Sequence, residues 1–278
     1  MQLKEKSTTW MILLAVCALL LGVGIQGGLA LARNMRNLAQ TQVLAGELAA
    51  AARSEADARA QRIALDTEKL EALPAQKARK LAELHLELLL LVNPWNPVPE
   101  DYTVELQPVG VGQIGEEQQM DVRCADALEQ MLDDCRAAGN EPYICSSFRT
   151  HDQQELLYIN KVSRVVGMGY GWDAAPEIAA QSVAVPGTSE HELGLAADLI
   201  DYYYTNLDEW QEQTGTQKWL MENSWRYGFI LRYPNGTTDI TGIIYEPWHY
   251  RYVGQAFAAD IHERGVTLEE YIALRRGR

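Results

Sequence analysis

The chain has 278 residues and a formal net charge of −14, but the acidity is not spread evenly. Residues 1–92 carry 11 Lys/Arg against 9 Asp/Glu, whereas residues 93–278 carry 13 against 29. A segment that acidic repels a phosphate backbone, which argues against nucleic acid as a partner, and four cysteines without a C-x-x-C pair argue against a cysteine metal site.

In chain order, residues 10–32 come first: 23 positions without a charged side chain, flanked by Lys4 and Lys6 before and Arg33 and Arg36 after. A helix of that length crosses a bilayer core of about 30 Å. Two export readings follow: a retained signal anchor, favoured because the apolar run exceeds a usual signal core, or a cleaved signal peptide ending at the small-x-small site Ala30-Leu31-Ala32. Either reading puts the bulk of the chain outside the cytoplasm, with residues 1–33 as tip and anchor at the cell membrane. Residues 34–92 are rich in Ala, Leu, Glu, Arg and Gln and predict a helical stalk. Its leucine spacing is an irregular heptad, compatible with self-association of stalks or with a plain linker. Pro94, Pro97 and Pro99 end that helix, so the compact domain is predicted to run over 93–278.

Within the domain the pattern predicts strands at 104–109, 142–148, 195–201 and 248–253. Helices are predicted at 121–138, 152–166, 173–182, 216–227, 254–264 and 268–275. Residues 229–233 and 240–244 are predicted to form a hairpin around Pro234-Asn235-Gly236. This mixture predicts an α+β domain with antiparallel strands and flanking helices, not a βαβ repeat. Cys124 and Cys135, about 16 Å apart along one helix, are too far apart to bridge. Cys145 paired with one of them and three free thiols both remain open.

Two short blocks carry the chemistry. One is 186–198, with His191 and Asp198 seven residues apart and small residues between them. The other is Glu246-Pro247-Trp248-His249-Tyr250. A catalytic zinc takes three protein ligands and keeps one position for water. His191, Asp198 and His249 supply two imidazoles and a carboxylate. Seven residues of helix would hold His191 and Asp198 about 10 Å apart, so a turn must lie between them, with Asp198 on a strand. His249 opens the last strand, which is expected beside the Asp198 strand. Glu246 leaves the same loop and is the candidate general base for a bound water. The reaction class that uses all four residues is amide hydrolysis.

Ser147-Phe148-Arg149-Thr150, Gln154, the Ser-x-His-x-x-Gly-x-Ala-x-Asp pattern at Ser189–Asp198 and the Glu-x-Trp-His pattern at Glu246–His249 resemble the VanY type of D-alanyl-D-alanine carboxypeptidases. These are zinc peptidases that trim bacterial peptidoglycan. The resemblance covers nearly all of 93–278 and none of the stalk. It implies the hedgehog/DD-peptidase fold with a central antiparallel sheet, Zn²⁺ on His191, Asp198 and His249, and Glu246 as base. It further implies Arg149 gripping the free C-terminal carboxylate of the stem peptide, Gln154 as a polar contact at the same end, and Ser189 and Tyr233 lining the substrate pocket. The implied reaction is removal of the terminal D-Ala from peptidoglycan stem peptides. The alternatives are an LD-carboxypeptidase or D,D-dipeptidase on the same site, or a zinc-bearing binding module without turnover.

Overall fold

A computed structural model describes residues 86–111 and 117–276. The predicted membrane segment at 10–32 and the predicted stalk as far as residue 85 lie outside the described residues. Among the described residues no helix is long and apolar enough to cross a membrane.

The elements are strands β1 (Leu106–Val111), β2 (Glu117–Asp121), β3 (Pro142–Ser146), β4 (Ala196–Asp201), β5 (Phe229–Leu231) and β6 (His249–Tyr252). The helices are α1 (Ala125–Ala137), α2 (His151–Gly167), α3 (Ala175–Ala180), α4 (Gly215–Asn223), α5 (Thr238–Thr241), α6 (Gln255–Arg264) and α7 (Leu268–Arg276). Short 3₁₀ turns occupy Glu190–Leu193, Glu209–Gln213 and Ser224–Tyr227. β1 and β2 form a two-stranded antiparallel ladder, and the main sheet is antiparallel in the order β3-β4-β6-β5.

β4 is a central strand, buried from Ala196 to Ile200, and apart from Asp198 that stretch is small or apolar. Side chains alternate along a strand. Ala197 and Leu199 of β4 and Tyr250 of β6 therefore point into the main core, where Leu128, Met131, Leu132 and Cys135 of α1 meet them. Asp198 and His249 fall on the other face. That division places the chemistry: one face of the sheet is core and the opposite face carries the candidate site. A second apolar cluster joins Ile230 and Val253 to α6 and α7, and a third packs α2 on α3.

Three expectations change. The hairpin at 229–244 does not form: β5 pairs with β6, Phe229 opposite Tyr252, and 238–241 is a helical turn closed by Gly242 at φ 79°. The short apolar run at 229–231 is a strand, but its partner lies further along the chain. β2 was not predicted, because Glu-Gln-Gln-Met-Asp has only one apolar residue to declare it. The domain's packing also begins before Asn93. Leu88 and Val92 are buried in the main core, and Arg251 donates to the carbonyls of Leu88 and Leu90 at 3.0 and 2.9 Å. The three described cysteines are free thiols, with Cys124 and Cys135 buried.

Candidate metal centre

Asp198 and His249 are direct cross-strand partners of β4 and β6, so the ladder itself sets their spacing. His249 Nδ1 lies 3.0 Å from Asp198 Oδ1. His191 arrives from the 3₁₀ turn just before β4, its Nε2 3.3 Å from Asp198 Oδ2. The turn ends at Gly194, which is left-handed at φ +70°. A Cβ there would stand 3.0 Å from Val104 Cγ2 and 3.2 Å from the Asp121 amide nitrogen. Gly194 thus satisfies both a backbone requirement and a close approach. Its carbonyl accepts from the Asp121 amide at 2.9 Å, which ties the turn to β2.

His191, Asp198 and His249 are all buried, and one donor atom from each lies within 4.8 Å of the others. The distal ring nitrogens are also engaged. His191 Nδ1 is 2.7 Å from the Ser147 carbonyl and donates to it, which leaves Nε2 as a lone-pair nitrogen facing Asp198. His249 Nε2 faces Glu190 Oε2 at 3.4 Å, which leaves Nδ1 for the same centre. A ligating histidine typically gives its other N–H to a carbonyl or carboxylate, and both rings meet that condition. Two nitrogens and one carboxylate oxygen are the donor set of an open zinc site, so the residues fit the metal.

The electrostatics point the same way. Burial and the Arg149 cation push the His191 imidazole down to about 4, so this ring is neutral and able to ligate. Burial opposes a charge on His249, but the hydrogen bonds its ring donates to Asp198 and Glu190 outweigh it and push the ring up to about 9. The surroundings thus favour positive charge at that ring, which a divalent metal also supplies. Burial works against the Asp198 carboxylate too, yet the two imidazoles hold it below the usual carboxylate range.

Glu246 sits beside this group, its carboxylate 3.9 Å from His249 Nδ1. Its backbone is pinned: its amide donates to the Tyr233 carbonyl and its carbonyl accepts from the His249 amide, both at 3.2 Å. Burial and the Asp198 charge push its carboxyl up to about 8 against the pull of His249, Arg149 and Lys161. A carboxylate with that affinity for protons is suited to accept one.

A cleft of about 310 Å³ opens onto the centre, lined near the metal residues by Arg149, Ser189, Tyr233 and Glu246. Arg149 is held by the bond from its amide to the His191 carbonyl at 3.2 Å. Its Nε has no hydrogen-bond partner among the described residues. The Tyr233 ring lies 4.8 Å from that of His249. Gln154 is not part of the lining: it is buried behind it, donates to the Ala184 carbonyl at 2.7 Å and leaves Oε1 without a partner. His151 opens α2 and reaches Glu192 at 2.9 Å, clear of the metal group.

One residue was missed. Glu190 is fully buried and accepts from Arg232 Nε at 2.7 Å and Arg251 Nη1 at 2.8 Å. Those guanidinium groups overcome the cost of its burial and keep it ionised. Arg232 is in turn gripped by both oxygens of Glu269 on α7, at 2.6 and 2.8 Å. In sequence Glu190 was only a carboxylate beside His191. The arginines that give it a role are 42 and 61 residues away.

The VanY family model, D-alanyl-D-alanine carboxypeptidase, matches residues 117–255, half of the chain. A D-alanyl-D-alanine carboxypeptidase of Enterococcus faecalis is 43% identical over 186 residues, which are 66% of this chain and 65% of that protein. The chain therefore matches just under two thirds of that relative's length. The solved structure of VanYB in complex with D-alanine-D-alanine aligns with a TM-score of 0.60 at 41% identity, over 67% of this chain and 98% of that one. A mutant of the vancomycin resistance D,D-pentapeptidase VanY from a VanB-type cassette, in complex with Zn(II), aligns with a TM-score of 0.58 at 42% identity, over 66% of this chain and 98% of that one.

Proposed function

Because the chain belongs to the VanY family of D-alanyl-D-alanine carboxypeptidases, we propose that it is a zinc-dependent carboxypeptidase that removes the terminal D-Ala from peptidoglycan stem peptides. The observation that carries the proposal is the conjunction of three features in one cleft: the His191–Asp198–His249 donor set, the proton-avid Glu246 beside it, and the half-buried Arg149, whose Nε has no partner among the described residues.

Zinc bound by His191, Asp198 and His249 would supply Lewis acidity, lowering the pKa of a water and polarising the amide carbonyl. The remaining work falls to the chain. Arg149 presents a guanidinium to the C-terminal carboxylate of the peptide, a match of fork to carboxylate that also fixes the direction of the chain in the cleft. Glu246 takes a proton from the attacking water and returns it to the nitrogen of the departing D-Ala. Burial suits it to both roles, since a carboxyl near 8 is protonated and deprotonated at little cost around neutral pH. Ser189 and Tyr233 wall the pocket, and Tyr233 covers the His249 ring and shields it from bulk water. Gln154 acts from behind the wall by holding the Ala184 carbonyl.

Residues 10–32 are read as a membrane anchor, or a signal removed after export, and 34–92 as a stalk that places the enzyme near the wall. The uncharged run of 23 residues supports the first and the helix-forming composition the second. Self-association through the stalk is part of the same reading. Mass spectrometry of muropeptides incubated with the zinc-loaded chain tests the activity. Pentapeptide stems should lose one D-Ala while tetrapeptide stems stay intact. Trimming of tetrapeptides alone would replace this reading with an LD-carboxypeptidase.

A further inference from the structure

The groups that orient Glu190 are themselves held from outside the cleft, by the segment that leads into the domain. Glu190 divides its two oxygens. Oε1 accepts from Arg232 Nε and Arg251 Nη1, and Oε2 is left to face His249 Nε2 at 3.4 Å. Both arginines are fully buried. A guanidinium is a rigid planar fork with five N–H donors, so fixing one edge aims the other. Whatever fixes the far edges of these two forks therefore sets where the Glu190 carboxylate sits.

Residues 88–93 supply those far partners. Arg251 follows His249 on β6 with one residue between them, so both lie on the same face of the strand. Its Nη2 donates to the carbonyls of Leu88 at 3.0 Å and Leu90 at 2.9 Å. Arg232 is gripped by both oxygens of Glu269, and Glu269 Oε1 also accepts from Asn93 Nδ2 at 3.1 Å. Asn93 is fixed in turn. Its Oδ1 accepts from the Trp95 and Asn96 amides at 3.1 Å each and from Asn96 Nδ2 at 2.7 Å, which locks the side-chain amide with Nδ2 towards Glu269. Leu88, Leu89 and Val92 are buried, so the segment is anchored as well as bonded. Two routes thus run from 88–93 to Glu190, one through Arg251 and one through Glu269 and Arg232. In a buried network a donor or charge left without its partner is costly, so a shift at one end is felt at the other.

We propose that residues 88–93 are a positioning element of the metal centre. They hold Arg251 and Arg232 so that Glu190 stays aimed at the His249 ring, and the tightness with which zinc is held depends on them. None of these residues lines the cleft, so they act through Glu190 and not by touching zinc or substrate. Displacing the segment from the domain should therefore loosen the metal. This role rests on the zinc reading of His191, Asp198 and His249.

Zinc affinity of the full chain tests it, measured by competition with a chromophoric chelator at a temperature where circular dichroism shows the protein folded. Arg251→Lys keeps a cation beside Glu190 but lacks the fork that reaches both carbonyls. It should bind zinc about tenfold more weakly than the parent, as expected when a group that orients a ligand is disturbed. Asn93→Ala frees Glu269 on the second route and should weaken zinc about threefold, the worth of one hydrogen bond. It decides the question alone if Arg251→Lys does not fold. Leu128→Ala opens a cavity on the opposite face of the sheet and controls for a general loss of stability. Its zinc affinity should stay within about twofold of the parent, as for a site that shares no partners with the network. Parent-like affinity in either folded variant would overturn the positioning role, and so would an equal loss in Leu128→Ala. A parent chain that binds no zinc would instead count against the metal reading itself, and the positioning role would fall with it.

Discussion

At the scale of single residues, the centre depends on groups that orient the donors as much as on the donors themselves. Glu190 faces His249 Nε2 and so reserves Nδ1 for the side on which Asp198 lies. Replacing Glu190 with Gln removes a buried charge that two arginines require. It should weaken zinc binding by about tenfold to a hundredfold, the usual effect of losing such a partner. Competition against a chromophoric chelator on folded protein measures this, and an unchanged zinc affinity would show that the Glu190 contact does not set the ring. The three metal residues were legible in the sequence because their types and spacing have few other uses when they occur together. Glu190 was not, because burial and partners define it and neither is visible along the chain. Gln154 was legible as a polar side chain near Arg149, but only packing could place it behind the wall.

At the scale of elements, the pairing of β4 with β6 fixes Asp198 opposite His249, and the turn ahead of β4 brings in His191. The small residues between His191 and Asp198 correctly signalled a loop entering a strand. The positive φ and tight contacts at Gly194 give that loop its physical reason. Gly194→Ala forces a side chain into a left-handed position against β2, a cost of about 2 kcal/mol or more. The melting temperature should fall by about 5 °C, with zinc affinity reduced because the His191 turn shifts. Calorimetric melting with and without zinc checks both, and a variant that melts like the parent would place the strain elsewhere. The false hairpin shows what periodicity leaves open. The short apolar run that opens residues 229–233 does form a strand, but such a run names a strand without naming its partner. Tyr252, not the 240–244 segment, packs edge to face on Phe229.

At the scale of the molecule, the packed domain extends past the prolines at which the sequence predicts its start. Leucines 88–91 continue the spacing of the predicted stalk, so along the sequence nothing distinguishes the ones that pack from those that do not. Leu88, Leu89 and Val92 are buried, at about 1.5–3 kcal/mol each. Arg251 links the carbonyls of Leu88 and Leu90 to Glu190 beside the metal residues. A polypeptide beginning at Asn93 should therefore melt about 10–20 °C below one beginning at Arg79. Equal melting temperatures would return the boundary to Asn93. The central claim concerns what the whole arrangement does, namely that Glu246 moves the proton at a zinc centre built from His191, Asp198 and His249. Its most direct test is D-Ala release by Glu246→Ala protein whose zinc content is measured in the same sample. Release should fall by about 10³-fold, in the range expected for loss of a general base, with one zinc per chain retained. Release at the parent rate from a zinc-loaded variant would contradict it.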